Sequence, residues 1–197
     1  FNFTKAHGIK VVRRLTGGGA VFHDLGNVNF TFISPAGGEL SRGRREGGLE
    51  FGDFTAPVVE ALSGLGVSAS LSGRNDIVAE CGGETRKVSG NAQCVFPASD
   101  GNVKTMHHGT ILYSADMTSM QGALNVDPEK LKSKGVRSFR SRVMNISELI
   151  PEDRRPDVTG FMDYLADFAA ERFGTGAERF DGETISGIQA LADTKYS

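Results

Sequence analysis

Cysteine is scarce in this 197-residue chain: Cys81 and Cys94 are too few for a disulfide framework and sit at no metal-ligand spacing. No apolar run approaches the roughly 20 residues of a membrane-spanning helix. Neither sign of charge prevails, with 22 Lys and Arg against 24 Asp and Glu. The formal net charge of -2 argues against a general nucleic-acid-binding surface. No secretory signal is visible, so a reducing cytoplasm is the expected compartment. There is no internal repeat. The chain opens at Phe1 instead of a methionine, as a piece of a longer polypeptide would.

Glycine, by contrast, is plentiful. The 26 glycines cluster at Gly17 to Gly19, Gly47 to Gly48 and Gly82 to Gly83, which implies specific turns and not low complexity. The length suits one domain, or one domain and part of another.

Along the chain, residues 1–8 read as the tail of a helix stopped by Gly8. Ile9 to Leu15, Ala20 to Phe22 and Val28 to Ile33 read as strands, the last two joined by a turn at Asp24-Leu25-Gly26-Asn27. Residues 34–52 read as loop. Asp53 to Leu65 has apolar residues at helical spacing, with Pro57 expected in its first turn. A short strand over Val67 to Leu71 follows. Asp76 to Cys81 and Lys87 to Phe96 form two more strands across the Gly82-Gly83 turn, and Val103 to Tyr113 another. Asp127-Pro128 opens a short helix in cap-then-proline order. Asp157 to Phe173 is the clearest helix, and a further one begins at Thr184. Strands cluster early without regular strand–helix alternation. The expected fold is therefore α+β, a mixed, largely antiparallel sheet flanked by helices.

The densest polar stretch runs from Arg13 to Phe32, R-R-L-T-G-G-G-A-V-F-H-D-L-G-N-V-N-F-T-F. Its glycine triplet lacks the Lys and Ser/Thr of a P-loop, and the strand-like Ala20-Val21-Phe22 after it excludes a dinucleotide fingerprint. What is left is a tight turn or bulge, or backbone that admits an anion close to its amides. Arg13 and Arg14 beside it suit a carboxylate or phosphate. A second cluster pairs Gly73-Arg74-Asn75-Asp76 with Arg86-Lys87-Val88-Ser89-Gly90-Asn91-Ala92-Gln93 across the hairpin. Lys87 is either an exposed strand lysine or a fixed positive charge for phosphoryl or acyl oxygens. Asp76 is open to three roles: holding a ribose hydroxyl, holding magnesium, or capping a turn. His107 and His108, adjacent on a strand, point to opposite faces, so at most one faces a pocket. His7 and His23 add no metal-ligand spacing. Arg42-Gly43-Arg44-Arg45 is balanced by Glu39, Glu46 and Glu50 and reads as a solvated loop. Cys81 has no base beside it in sequence.

Five segments in this order resemble the lipoate–protein ligases of the biotin/lipoate ligase and octanoyltransferase superfamily: residues 13–30, 72–77 (S-G-R-N-D-I), 86–93 (R-K-V-S-G-N-A-Q), 107–112 (H-H-G-T-I-L) and 141–145 (S-R-V-M-N). The resemblance implies a biotin/lipoate protein ligase-like, class II synthetase-like catalytic domain over residues 1–182, with 183–197 starting a linker to a C-terminal accessory domain. It implies that ATP, with Mg2+, activates lipoate to lipoyl-AMP. The lipoyl group then passes to a lysine of an apo lipoyl domain of a 2-oxoacid dehydrogenase E2 subunit, or of the glycine-cleavage H protein. No nucleic acid or membrane partner is implied.

Carried over, Lys87 is the catalytic residue touching the lipoyl carboxyl and the α-phosphate. Arg14, Gly19, Ala20, Val21, Phe22, Asn75 and Asp76 lie on the nucleotide side, with magnesium near Asp76. Gly18, Gly19, Ser89, Gly90 and His108 lie by the lipoyl group, where small residues such as Ala92 leave room for the chain. Members of the family also carry an earlier strand and an asparagine-bearing loop that close one side of the pocket. This polypeptide is accordingly expected to be truncated at both ends and weakly active or inactive. Two alternatives are an octanoyltransferase of the same fold working through a Cys81 thioester without ATP, and an inactive lipoate- or adenylate-binding protein. Gly19 argues against the transferase, whose nearest-looking members carry arginine there. Arg14 and Lys87 argue against the inactive binder.

Overall fold

A computed structural model of the chain describes residues 2–35, 38, 40, 51–73, 75–98, 100–124 and 143–195. Five strands form one antiparallel sheet in the order β1-β5-β4-β3-β2. They are β1 (Asn27–Pro35), β2 (Ala69–Ser72), β3 (Asp76–Cys81), β4 (Glu84–Pro97) and β5 (Val103–Leu112). The helices are α1 (Asn2–Ala6), α2 (Gly52–Gly64), α3 (Met117–Ala123), α4 (Val158–Phe173) and α5 (Gly182–Lys195). The α+β expectation holds.

The sheet buries one face. Val28, Ile77, Ala79, Val88 and Ile111 meet Val58 and Leu62 of α2 and Phe161 of α4 in the main core. Alternation puts Val28, Ile77, Ala79 and Ile111 on a single side, and an irregularity in β4 adds Val88 to it. Asp157 caps α4 by accepting from the Gly160 amide at 2.8 Å, a contact worth about 1 kcal/mol. Gly174, at φ 64°, ends that helix in the left-handed conformation expected of a glycine stop. Phe161 stacks on Tyr113 with centroids 4.3 Å apart, and the Tyr113 hydroxyl donates to the Pro156 carbonyl. The Tyr164 hydroxyl donates to Ala61 of α2 at 2.7 Å, tying the two helices together.

Several local expectations need correction. Ile9 to Leu15 and Ala20 to Phe22 are not strands. Val11, Val12 and Leu15 are 60–67% exposed, and among the described residues no strand pairs with them. Apolar alternation without a ladder partner leaves the backbone irregular. The turn at residues 24–27 does form, with the Asn27 amide donating to the Asp24 carbonyl at 3.2 Å. Pro57 falls in the second turn of α2, where it removes the bond back to Asp53. The helix tolerates this because Pro57 is packed into the buried face. Helix α3 was not expected; Asp116 caps it by accepting from the Thr118 and Ser119 amides. The expected helix at Asp127-Pro128, the Arg42–Arg45 loop and Ser141 lie outside the described residues.

Candidate functional site

Among the described residues α3 packs on the other face of the sheet, at the Leu112 end, and the polar residues collect on the rest of it. Asn29 and Thr31 of β1, His108 and Thr110 of β5, Gly90 and Ala92 of β4 and Asp76 of β3 share it by register. Lys87 joins them only because the strand breaks its own alternation. Counting back from Ser89, which is buried, a regular strand would turn Lys87 into the core. The ladder pairs Ile77 with Ser89 but Val78 with Lys87, so one residue, Val88, is extra. This bulge sends Val88 and Ser89 both inward, at 0% and 1% exposure, and returns Lys87 to the open face. The Met144 amide holds the Lys87 carbonyl at 3.1 Å, and Val143 bridges Lys87 in parallel.

On that face the Lys87 ammonium lies 2.7 Å from the Asp76 carboxylate. Gly90, opposite Asp76, leaves the room: a Cβ there would stand 3.0 Å from Lys87 Nζ and 3.2 Å from its Cε. The pair is more than a third exposed on each side, so it contributes little to stability, and Lys87 remains accessible to an anionic ligand.

The Arg13–Phe32 stretch brings the second cation to this face. Arg14 donates from Nε to Thr16 Oγ1 at 3.2 Å and from Nη2 to the Gly17 carbonyl at 2.7 Å. Thr16 Oγ1 is in turn 2.6 Å from His108 Nε2. Gly18 has φ 108°, so its backbone favours glycine, and a Cβ there would come within 2.6 Å of Arg14 Nη2 and push the guanidinium aside. Burial, Arg14 and His23 together hold His108 below the usual histidine range. His23 is likewise lowered, by burial and then Arg14, with Asp24 opposing. Downstream, Phe22 packs with Leu112, Ala115 and Met120, and its carbonyl accepts from Asn27 Nδ2 at 3.0 Å. Gly26 passes so close to the end of β5 that its carbonyl accepts from both the Tyr113 and Ser114 amides.

Beneath the sheet a buried polar chain reaches toward Asp76. His107 is fully buried; its Nδ1 lies 2.8 Å from Gln93 Nε2 and its Nε2 3.3 Å from Asn91 Oδ1. Phe54 stacks on the ring with centroids 5.1 Å apart, and the edge of Phe51 meets it at 5.6 Å. Asn91 Nδ2 donates to the Asn75 carbonyl at 3.0 Å, and Asn75 Nδ2 to the Asn91 carbonyl at 2.7 Å. Gly109 has no room for a side chain, since a Cβ would collide with Asn91 Oδ1 and come within 2.5 Å of Phe30.

Burial lowers the His107 pKa to about 4, with adjacent His108 adding to the effect. The unfolded chain takes up this proton near 6.5 and the folded chain only near 4. The stability associated with a neutral His107 is therefore complete above about pH 6.5 and is lost as pH falls toward 4. The full loss is about 3 kcal/mol. Urea unfolding at pH 7 and pH 4.5 should show this fall, and His107→Gln should flatten it. An equal pH dependence in the variant would contradict the assignment.

The structure thus gathers Arg14, Gly18, Asp76, Lys87, Gly90 and His108 at one face. Gly19, Ala20 and Val21 are exposed on the loop above it, and Phe22 anchors that loop. Asn75 serves the join between β3 and β4. Ser89 points the other way, into the Asn91 network, where Asn91 Nδ2 reaches its hydroxyl at 3.4 Å. The histidines divide between the faces as the strand period requires, His107 inward and His108 outward. Sequence reasoning passed over Thr16. Its only signal was a hydroxyl between the arginines and the glycines.

The lipoyl protein ligase A/B catalytic domain model matches residues 1–169. The chain belongs to that family. This ligase-family chain is 46% identical over 150 residues to lipoate-protein ligase LplJ of Bacillus subtilis (strain 168), covering 76% of itself and 40% of that protein. It is 44% identical over 148 residues to lipoate–protein ligase 1 of Staphylococcus aureus, covering 75% of itself and 40% of the relative. The chain therefore spans less than half the length of the curated relatives it matches. A solved archaeal lipoylation system, a bipartite lipoate protein ligase and its E2 lipoyl domain from Thermoplasma acidophilum, is similar at a TM-score of 0.71 and 25% identity. That match covers 99% of this chain and 71% of the other. In this ligase-family chain α2 and α4 thus cover one face of the antiparallel sheet, and the polar motifs collect on the other.

Proposed function

We propose that this domain activates lipoate with ATP and transfers the lipoyl group to a lysine of an acceptor protein. The observation that carries the reading is the accessible Lys87, paired with Asp76 beside Gly90, on the same face as Arg14 and its glycine loop. A lipoate carboxylate oxygen attacks the α-phosphorus of ATP, the bond to the β-phosphate oxygen breaks, and pyrophosphate leaves. Negative charge grows on the phosphoryl oxygens, and two fixed cations, Lys87 and Arg14, stabilise it without a covalent enzyme intermediate. The acceptor lysine amine then attacks the acyl carbon, loses a proton and displaces AMP.

In this reading Gly19, Ala20, Val21 and Phe22 run along the adenylate, and Asn75 and Asp76 serve its nucleotide side. Gly18, Gly90 and His108 border the lipoyl group; Ser89 would act from beneath, by keeping the strand in place. Among the described residues no three metal-ligating side chains gather. In this reading magnesium would arrive with the nucleotide, held mainly by phosphates, with the Asp76 carboxylate on the same face. Acceptors would be lipoyl domains of E2 subunits, the partner type in the archaeal system, and the glycine-cleavage H protein. A cytoplasmic location is part of this proposal; among the described residues no helix is long and apolar enough to cross a membrane. Residues 1–182 form the catalytic unit, and α5 buries no residue against it.

The test is incubation of the full-length protein with ATP, lipoate and an apo lipoyl domain. Acceptor lipoylation should require ATP and release pyrophosphate. Transfer from an acyl carrier without ATP, abolished by Cys81→Ser, would overturn the reading in favour of an octanoyltransferase. Cys81 ends β3 five residues from Asp76, roughly 17 Å along an extended strand, and packs against the main core.

A further inference from the structure

The Arg14 guanidinium can only donate hydrogen bonds, so Thr16 Oγ1 accepts from its Nε. The single hydroxyl proton of Thr16 can then go to the other neighbour, His108 Nε2, at 2.6 Å. Thr16 is 6% exposed, whereas the residues on either side of it, Leu15 and Gly17, are exposed. Over residues 15–17 the loop is therefore buried at this side chain, which meets β5 at His108. Arg14 continues the chain of contacts to the Gly17 carbonyl and occupies the space over Gly18.

We infer that Thr16 is a positioning residue: its hydroxyl couples the outward histidine of β5 to Arg14, and thereby fixes the arginine and the glycine loop over the open face. The inference rests on the proposed adenylating function for its kinetic consequence, but not for its structural one. In this relay His108 offers Nε2 as an acceptor and carries its proton on Nδ1. A cationic His108 would donate from Nε2 instead and reverse that bond. The charged and titratable groups facing it, Arg14 and His23, both favour the neutral ring.

Two variants separate positioning from packing. Thr16→Val keeps the shape and removes the hydroxyl; Thr16→Ser keeps the hydroxyl and removes a methyl group. In the full-length protein, Thr16→Val should raise the KM for ATP about tenfold or more while kcat changes less, and Thr16→Ser should stay close to the parent. A packing role would give the reverse ranking and would overturn the inference. Nitrogen-15 NMR decides the relay without any assay. His108 should show a protonated Nδ1 and a bare Nε2, and its titration midpoint should move up in Thr16→Val as the Arg14 Nε–H signal shifts. A proton on Nε2 in the parent, or midpoints that coincide, would overturn it. If the parent shows the NMR signature but no ATP-dependent chemistry, the relay stands and the proposed function fails.

Discussion

Lys87→Ala is expected to slow pyrophosphate release from ATP and lipoate by about 10²–10³-fold, the usual cost of removing one preorganised donor to developing negative charge. The fold should hardly notice. Lys87 and Asp76 are both more than a third exposed, and such a pair contributes little to stability in water. Its backbone anchors, the bond from the Met144 amide and the bridge to Val143, do not depend on the side chain. Lys87→Arg keeps the charge but brings a wider, planar head into the space above Gly90, where even a Cβ would stand 3.0 Å from the ammonium. It should recover only part of the rate. Unfolding temperatures measured beside the kinetics check that the loss is chemical. A rate within tenfold of the parent in Lys87→Ala would remove Lys87 from the catalytic role.

Gly26→Val is expected to cost more than about 4 kcal/mol and to leave little folded protein. Gly26 needs no positive φ, so the cost is purely steric. A Cβ would collide with the carbonyl of Ser114 and come within 2.6 Å of the Ala115 nitrogen. Those are backbone atoms and cannot swing aside as a flexible side chain would. They are also held in place. The Gly26 carbonyl accepts from Tyr113 and Ser114, Asp24 accepts from the Gly26 and Asp116 amides, and Asn145 brackets Ala115 through both its amide atoms. Gly17→Val is the control: a Cβ there meets nothing within 4 Å and the backbone has ordinary φ, so stability should change by less than about 1 kcal/mol. Thermal unfolding of the two variants checks the contrast. Similar losses in both would mean that the close approach at Gly26 does not constrain the fold.

The helices over residues 52–64 and 158–173 were legible because each carries its own evidence, an apolar stripe and, for the second, a cap and a stop. The β3–β4 turn was legible from Gly82 and Gly83, which adopt positive φ as such a turn demands. Strands at residues 9–15 and 20–22 were wrongly expected because alternation is a local property whereas pairing is not. Nothing within those segments shows that a partner strand is missing. Helix α3 was overlooked because seven residues with one buried side chain, Met120, make too short a stripe to register. The site divides in the same way. Lys87, Arg14 and Asp76 stood out by residue type and neighbourhood. Their arrival on one face did not, because the bulge at Val88 depends on how β4 lies against β3. For the same reason Ser89, near the lysine in sequence, lies beneath the sheet.

That extra residue sets a condition for anyone grafting the chemistry onto another scaffold. An aspartate, a lysine and a glycine copied onto a regular hairpin at the spacing of Asp76, Lys87 and Gly90 would put the lysine and the glycine on opposite sides. The lysine would sit in the host's interior and the designed surface would carry no cation. Val88 touches no proposed substrate and has no reactive group, yet it belongs in the minimal transferable unit, because it supplies a count and not a function.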